Sequence, residues 1–232
     1  MTTTPMSAAP RPNAPADLDA DDGVTGGRYL VTGGRVHRTP GAPAPRDLHV
    51  ADGVITPGPS PGPLHVLDAA GADVVPLLVE SSLAQLPPER RGGYDLVPGN
   101  PATFAVVDGH VGASRITSML VVAPRDLRAV LVAGHVEVRD GAPTRPAGQD
   151  VADPAVAAQW LGAWHDPRRA LVQHLDSRGR YSETRSGRVD AYTGRYWVRG
   201  GRITYLDDSG FWAFGELLDG VLHHAGFVMS RR

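Results

Sequence analysis

The sequence predicts an all-β protein of two modules, a small β-sandwich followed by an antiparallel meander barrel. Three observations predict it. Residues 160–232 hold eleven of the chain's fourteen aromatics but only one of its twenty-one prolines, Pro167. From Tyr29 to about Arg145, short strand-like runs alternate with glycine and proline, and no long helical periodicity appears. Between residues 186 and 220, five turn dipeptides follow one another closely, each between β-prone runs.

Residues 1–26 are rich in Thr, Pro, Ala and Asp and hold almost no large apolar side chain. Such a segment cannot bury enough surface to offset the entropy of ordering it, so a disordered tail is expected. The module 27–145 contains strand-like runs at 29–36, 47–55, 65–67, 103–107, 116–122, 129–132 and 136–139. Ala133-Gly134-His135 reads as the turn of the last hairpin, and Asp140-Gly141 closes it. A Pro/Ala/Asp linker, 146–159, follows, in which Asp153-Pro154 has the chemistry of an N-cap and first helical residue.

The second module, 160–232, has its turns at Ser186-Gly187, Thr193-Gly194, Gly200-Gly201, Asp208-Ser209 and Asp219-Gly220. Closing this meander into a barrel removes its edges. If every turn is a two-residue loop, 196 faces 205 and 198 faces 203. The next turns then set 205 against 212, 203 against 214 and 216 against 223. One face carries Ser182, Thr184, Tyr196, Tyr205, Trp212, Phe214, Glu216, His223 and Phe227, and is expected to point inward. Tyr181, Glu183, Arg185, Tyr192 and Trp197 fall on the other face, and Glu183 with Arg185 then joins a surface chequerboard of charges. A one-residue bulge would invert every later strand.

Glu216 and His223 are the candidate catalytic residues. Placed opposite each other in an apolar lumen, they form a dyad suited to general acid–base work. The same pair also fits a satisfied polar plug at one end of the barrel. Ser182, Thr184, Tyr196, Tyr205, Trp212, Phe214 and Phe227 are the candidate ligand-binding residues, because aromatic walls with a few hydroxyls suit a flat, partly polar molecule. A core that fills the lumen completely is the alternative.

Composition narrows the chemistry. Formal charge is −2, which gives no electrostatic case for nucleic acid or an anionic membrane. No run of eighteen apolar residues and no secretory leader appear, so a cytoplasmic protein is expected. The chain has no cysteine, and all 23 basic residues are arginine, which removes thiolate and Schiff-base catalysis. Neighbouring His223 and His224 point to opposite faces of a strand, a poor metal spacing. No metal and no cofactor are expected.

Two resemblances add to this reading. The pieces GGRVHR (33–38), DLHVADGVI (47–55), VLDAAGADVVP (66–76), LVPGNPATFAVVD (96–108) and LRAVLVAGHVEVRDG (127–141) resemble the composite β-sandwich of the amidohydrolase superfamily. There, a catalytic barrel of roughly 250 residues would follow Pro76. Here about twenty residues stand in its place, and Leu78-Val79-Glu80-Ser81-Ser82 replaces the metal-binding His-x-His. The resemblance therefore implies a sandwich without its catalytic barrel, and metal-dependent hydrolysis is not expected. The pieces W-x-x-x-W (160–164), GRYSETRSGR (179–188), AYTGRYWV (191–198), ITYLDDSGFWAFGEL (203–217) and GVLHHAGFVMSRR (220–232) resemble an uncharacterised bacterial family of streptavidin-like β-barrels. Gly162-x-Trp164 with Arg231 and Arg232 is also similar to the Gly-x-Trp and terminal Arg of ligand-binding barrels, where Arg on Trp makes a cation–π latch.

The functional expectation is a barrel that binds a small aromatic or polycyclic metabolite, as a cofactor-independent isomerase, cyclase or lyase of secondary metabolism. The alternative is a non-catalytic binding or assembly protein, with the N-terminal sandwich as the platform of a homodimer.

Overall fold

The run 29–36 does not form one strand. Gly33 adopts a φ of 76° and turns the chain, so β1 (Tyr29–Thr32) and β2 (Arg35–His37) enter different sheets. The computed structural model describes residues 27–39, 42–62, 64–117 and 121–231, and the tail expected over 1–26 lies outside them. Further strands of the first module are β3 (Pro43–Pro45), β4 (Leu48–Ala51), β5 (Val54–Thr56), β6 (His65–Asp68) and β7 (Ala72–Pro76). After an excursion through α1 (Glu80–Gln85) and α2 (Pro88–Arg91) come β8 (Phe104–Asp108), β9 (Leu127–Val132), β10 (His135–Arg139) and β11 (Ala142–Pro143).

These strands make a four-stranded sheet, β5-β4-β1-β6, and a seven-stranded sheet, β11-β10-β9-β8-β7-β2-β3. Val31, Leu48, Val50 and Ile55 of the first share a core with Val36, Val74, Phe104 and Leu131 of the second. The second sheet is buried on its other face as well, where Val75, Val107, Val130 and Val138 meet Trp197, Trp212 and Phe214 of the next module. Double burial explains why β8 reads as a continuous apolar run over Phe104–Val107 rather than an alternating one, and why every residue of β7 is buried, Asp73 included. Among the described residues of the strand expected over 116–122, only Val122 makes a bridge, an isolated one to Trp212. Ala113–Thr117 is a short helix, α3, and residues 118–120 lie outside the described set. In the expected linker, Asp153 caps α4 (Pro154–Trp160), its Oδ1 accepting from the Ala155 amide at 2.7 Å.

The second module is a closed eight-stranded antiparallel barrel whose neighbours follow chain order. Its strands are β12 (Gly162–Asp166), β13 (Leu171–Leu175), β14 (Arg180–Arg185), β15 (Arg188–Arg199), β16 (Arg202–Asp207), β17 (Trp212–Leu218), β18 (Val221–His224) and β19 (Phe227–Arg231). The ring closes between β12 and β19, where Arg231 lies 4.8 Å over the Trp164 ring as the expected latch.

Three expected turns form as read: Arg185 pairs with Arg188, Arg199 with Arg202, and Leu218 with Val221. Two corrections reverse the faces. Thr193-Gly194 is not a turn but the middle of the twelve-residue β15. Residues 191 and 196 keep one face across a turn, whereas a continuous strand puts them on opposite faces. Tyr181 and Glu183 therefore point inward with Tyr196, and Ser182 and Thr184 point outward. The loop after β16 is also longer by one residue, because the Asp207 amide bonds to Phe211 O and Leu206 pairs with Trp212. That shift turns Trp212, Phe214, Glu216 and His223 to the outside of the barrel.

Candidate functional site

Among the described residues, a buried polar cluster lies on each side of the β17–β18 sheet. The outer one contains the expected dyad. Glu216 and His223 are cross-strand partners as anticipated, but they face α1 and the helical turn Gly92–Tyr94 rather than the lumen. Ser82 Oγ donates to Glu216 Oε2 at 2.5 Å, Tyr94 OH donates to the same carboxylate at 2.7 Å, and Arg202 Nη2 stands 3.2 Å from Oε1. Arg202 also donates to Leu77 O at 2.7 Å and stacks 5.0 Å from the Tyr94 ring centre. His223 Nδ1 shares a hydrogen bond with Ser81 Oγ at 2.9 Å, and its buried Nε2 has no hydrogen-bond partner among the described residues. Burial lowers the His223 pKa against the opposing pull of Glu216. Burial, then Glu216, pushes the Tyr94 phenol up to about 12. The Glu216 carboxyl group is thus met by Ser82, Tyr94 and Arg202, beside an imidazole that burial disposes to the neutral form. The arrangement welds the modules together.

The inner cluster was not anticipated. Glu183, with 2% of its side chain exposed, receives Gln173 Nε2 on Oε1 at 2.9 Å and Arg185 Nε on Oε2 at 2.7 Å. Gln173 Oε1 in turn accepts from Tyr205 OH at 2.9 Å. His224 Nε2 lies 3.9 Å from Glu183 Oε1, and its ring packs 4.3 Å from that of Tyr205. Burial lowers the His224 pKa, and burial followed by the Glu183 charge raises that of Tyr205 well above 10. A chain of polar groups thus runs from the barrel's centre to its mouth. Arg185 covers the carboxylate there, 4.3 Å from the ring centre of Tyr192 and 4.9 Å from that of Phe227.

Of the expected ligand-binding residues, Tyr196 and Tyr205 face the lumen and Phe227 packs against its core. Ser182, Thr184, Trp212 and Phe214 do not face it. The lumen itself is filled by buried side chains, among them Trp164, Tyr181, Tyr196, Tyr205, Leu222 and Met229. One signal pointed at the inner cluster: Tyr181, Glu183 and Arg185 alternate as cleanly as Ser182 and Thr184, so only the parity of one turn separated the two readings. Elsewhere a half-open cleft of about 1180 Å³ lies between the modules, but Arg145 and Arg199 on its wall are both paired with Glu137.

Residues 157–231 match the family model described as Agrobacterium tumefaciens protein Atu4866. The solution structure of Atu4866 from that organism is 42% identical, over 32% of this chain and 94% of that one, with a TM-score of 0.29. Through its C-terminal barrel the chain belongs to the Atu4866 family. No curated protein matches the chain. The Atu4866 region contains the whole inner cluster and both halves of the Glu216–His223 pair, whereas Ser81, Ser82 and Tyr94 lie outside it. Among the described residues, no helix is long and apolar enough to cross a membrane.

Proposed function

We propose that this protein binds a small aromatic or polycyclic metabolite at the mouth of its Atu4866-family barrel. The observation that carries the reading is the buried Glu183–Gln173–Tyr205 chain, which reaches the surface beneath Arg185, Tyr192 and Phe227. A carboxylate, a neutral imidazole and a phenol beside an aromatic rim are the parts of a polar anchor for a flat molecule. If the protein turns that molecule over, Glu183 and His224 are the proton-transfer pair, in an isomerisation, cyclisation or elimination that needs no cofactor. Glu216 and His223 then have no part in the chemistry. Titration with 2-naphthol followed by calorimetry tests the site. Saturable binding should weaken at least tenfold in Phe227→Ala and stay unchanged in Glu216→Gln. Equal weakening in both variants, or no saturable binding by the unmodified protein, would sink the idea.

The N-terminal module belongs to the same proposal as an amidohydrolase-type sandwich in which residues 77–95 replace the catalytic barrel. The two-sheet core and the excursion that begins directly after β7 support it. A second reading, assembly without catalysis, is favoured by β6. It is an edge strand carrying Val66 at 57% exposure beside Leu64 at 41%, an edge able to pair with a second copy. Sedimentation of Val66→Lys against the unmodified chain checks that reading: a dimer that persists in the variant excludes the β6 edge.

A further inference from the structure

The geometry points to the barrel mouth as a receptor for a planar organic cation, an amidinium or guanidinium, with Arg185 as its displaceable resident occupant. This rests on the mouth being the ligand site. The molecule's own side chain displays what the site accepts. Arg185 presents Nε and Nη2 to Glu183 Oε2, each at 2.7 Å, while its guanidinium lies over the Tyr192 and Phe227 rings. A buried carboxylate under two ring faces is the chemistry that holds a delocalised cation. Gln173 already occupies Oε1, so the oxygen turned to the mouth is the one Arg185 uses.

Two features make the occupant displaceable. The Arg185 side chain is 34% exposed, and it immediately precedes the Ser186-Gly187 turn, so swinging it outward needs no strand to unpair. Charge balance favours exchange over addition. Arg169 lies over the same Phe227 ring at 5.3 Å, so an incoming cation that replaces Arg185 avoids placing a third positive charge there. The ligand's cationic head takes the place of the guanidinium, and its apolar body extends along Tyr192, which is 49% exposed.

Benzamidine, an aromatic amidinium, and its uncharged analogue benzamide are the probes. Arg185→Ala should bind benzamidine at least tenfold more tightly than the unmodified protein does, with a matching rise in melting temperature, and should ignore benzamide. Adding Glu183→Gln should abolish the preference. If Arg185→Ala binds both probes alike, the cation class is wrong and the mouth remains a ligand site. If it is folded by circular dichroism and binds neither, the inference falls, and the 2-naphthol titration judges the wider reading separately. Should the variant fail to fold, the unmodified protein decides: benzamidine must shift the Arg185 Nε–H resonance, and a resonance that stays put overturns the proposal.

Discussion

At Glu216, a residue whose type and setting suggest catalysis proves to be an acceptor filled by Ser82, Tyr94 and Arg202. Glutamine at this position keeps the shape but turns one oxygen into a donor facing donors, and leaves Arg202 short of a counter-charge. An expected loss of about 1–3 kcal/mol follows from unsatisfied buried groups, read as a lower urea midpoint, and an unchanged midpoint would contradict the docking role. His224 carries a pH consequence. Burial holds its folded pKa below the ordinary 6.5 while the unfolded chain protonates near that value. The unfolded state therefore takes up the proton first, so this contribution to stability is intact above about pH 6.5 and declines as pH falls through the window beneath it. His224→Gln should flatten the difference between urea midpoints at pH 7.5 and pH 5.5. A slope equal to that of the unmodified protein would show that His224 does not titrate in this way.

Among the elements, β15 explains both what the sequence revealed and what it hid. Ser186-Gly187 and Asp219-Gly220 were legible as turns because both dipeptides take positive φ, which their residue types tolerate or favour. Thr193-Gly194 uses the same vocabulary for another reason. A Cβ on Gly194 would press against Leu206 O and come within 2.6 Å of the Tyr181 ring, so this glycine provides room for two neighbouring strands. That reason is tertiary, and no local pattern carries it. Gly194→Ala should cost about 1–3 kcal/mol through overpacking, measured by thermal unfolding; a neutral effect would show that the neighbours can shift. Reading Thr193-Gly194 as a turn inverts β14, and the loop after β16, one residue longer than expected, separately inverts β17 and β18. The Glu216–His223 pairing was readable because it depends on Asp219-Gly220 alone, whereas the face it occupies depends on every earlier turn. The first of these inversions hides Glu183, and the second hides His224.

Over the whole molecule, the seven-stranded sheet and the outer wall of the barrel share one apolar cluster in which Trp212 is fully buried. Fully burying a large side chain contributes about 1.5–3 kcal/mol, so Trp197, Trp212 and Phe214 together couple the modules into one folding unit. Unfolding by denaturant should show a single transition, coincident by far-ultraviolet circular dichroism and tryptophan fluorescence. Trp212→Ala should lower its midpoint by the equivalent of about 3–5 kcal/mol. Two separated transitions in the unmodified protein would deny the coupling. The same wall has an optical consequence. The indoles of Trp197 and Trp212 lie 5.5 Å apart at 36°, and each donates its N–H to a carbonyl upstream of the barrel, Arg145 O and Gly141 O. Their transition dipoles are close enough to couple, and their relative orientation is held by bonds that cross from one module to the other. The chain thus contains its own chromophore pair, whose ellipticity couplet reports, without any added label, whether the barrel is seated.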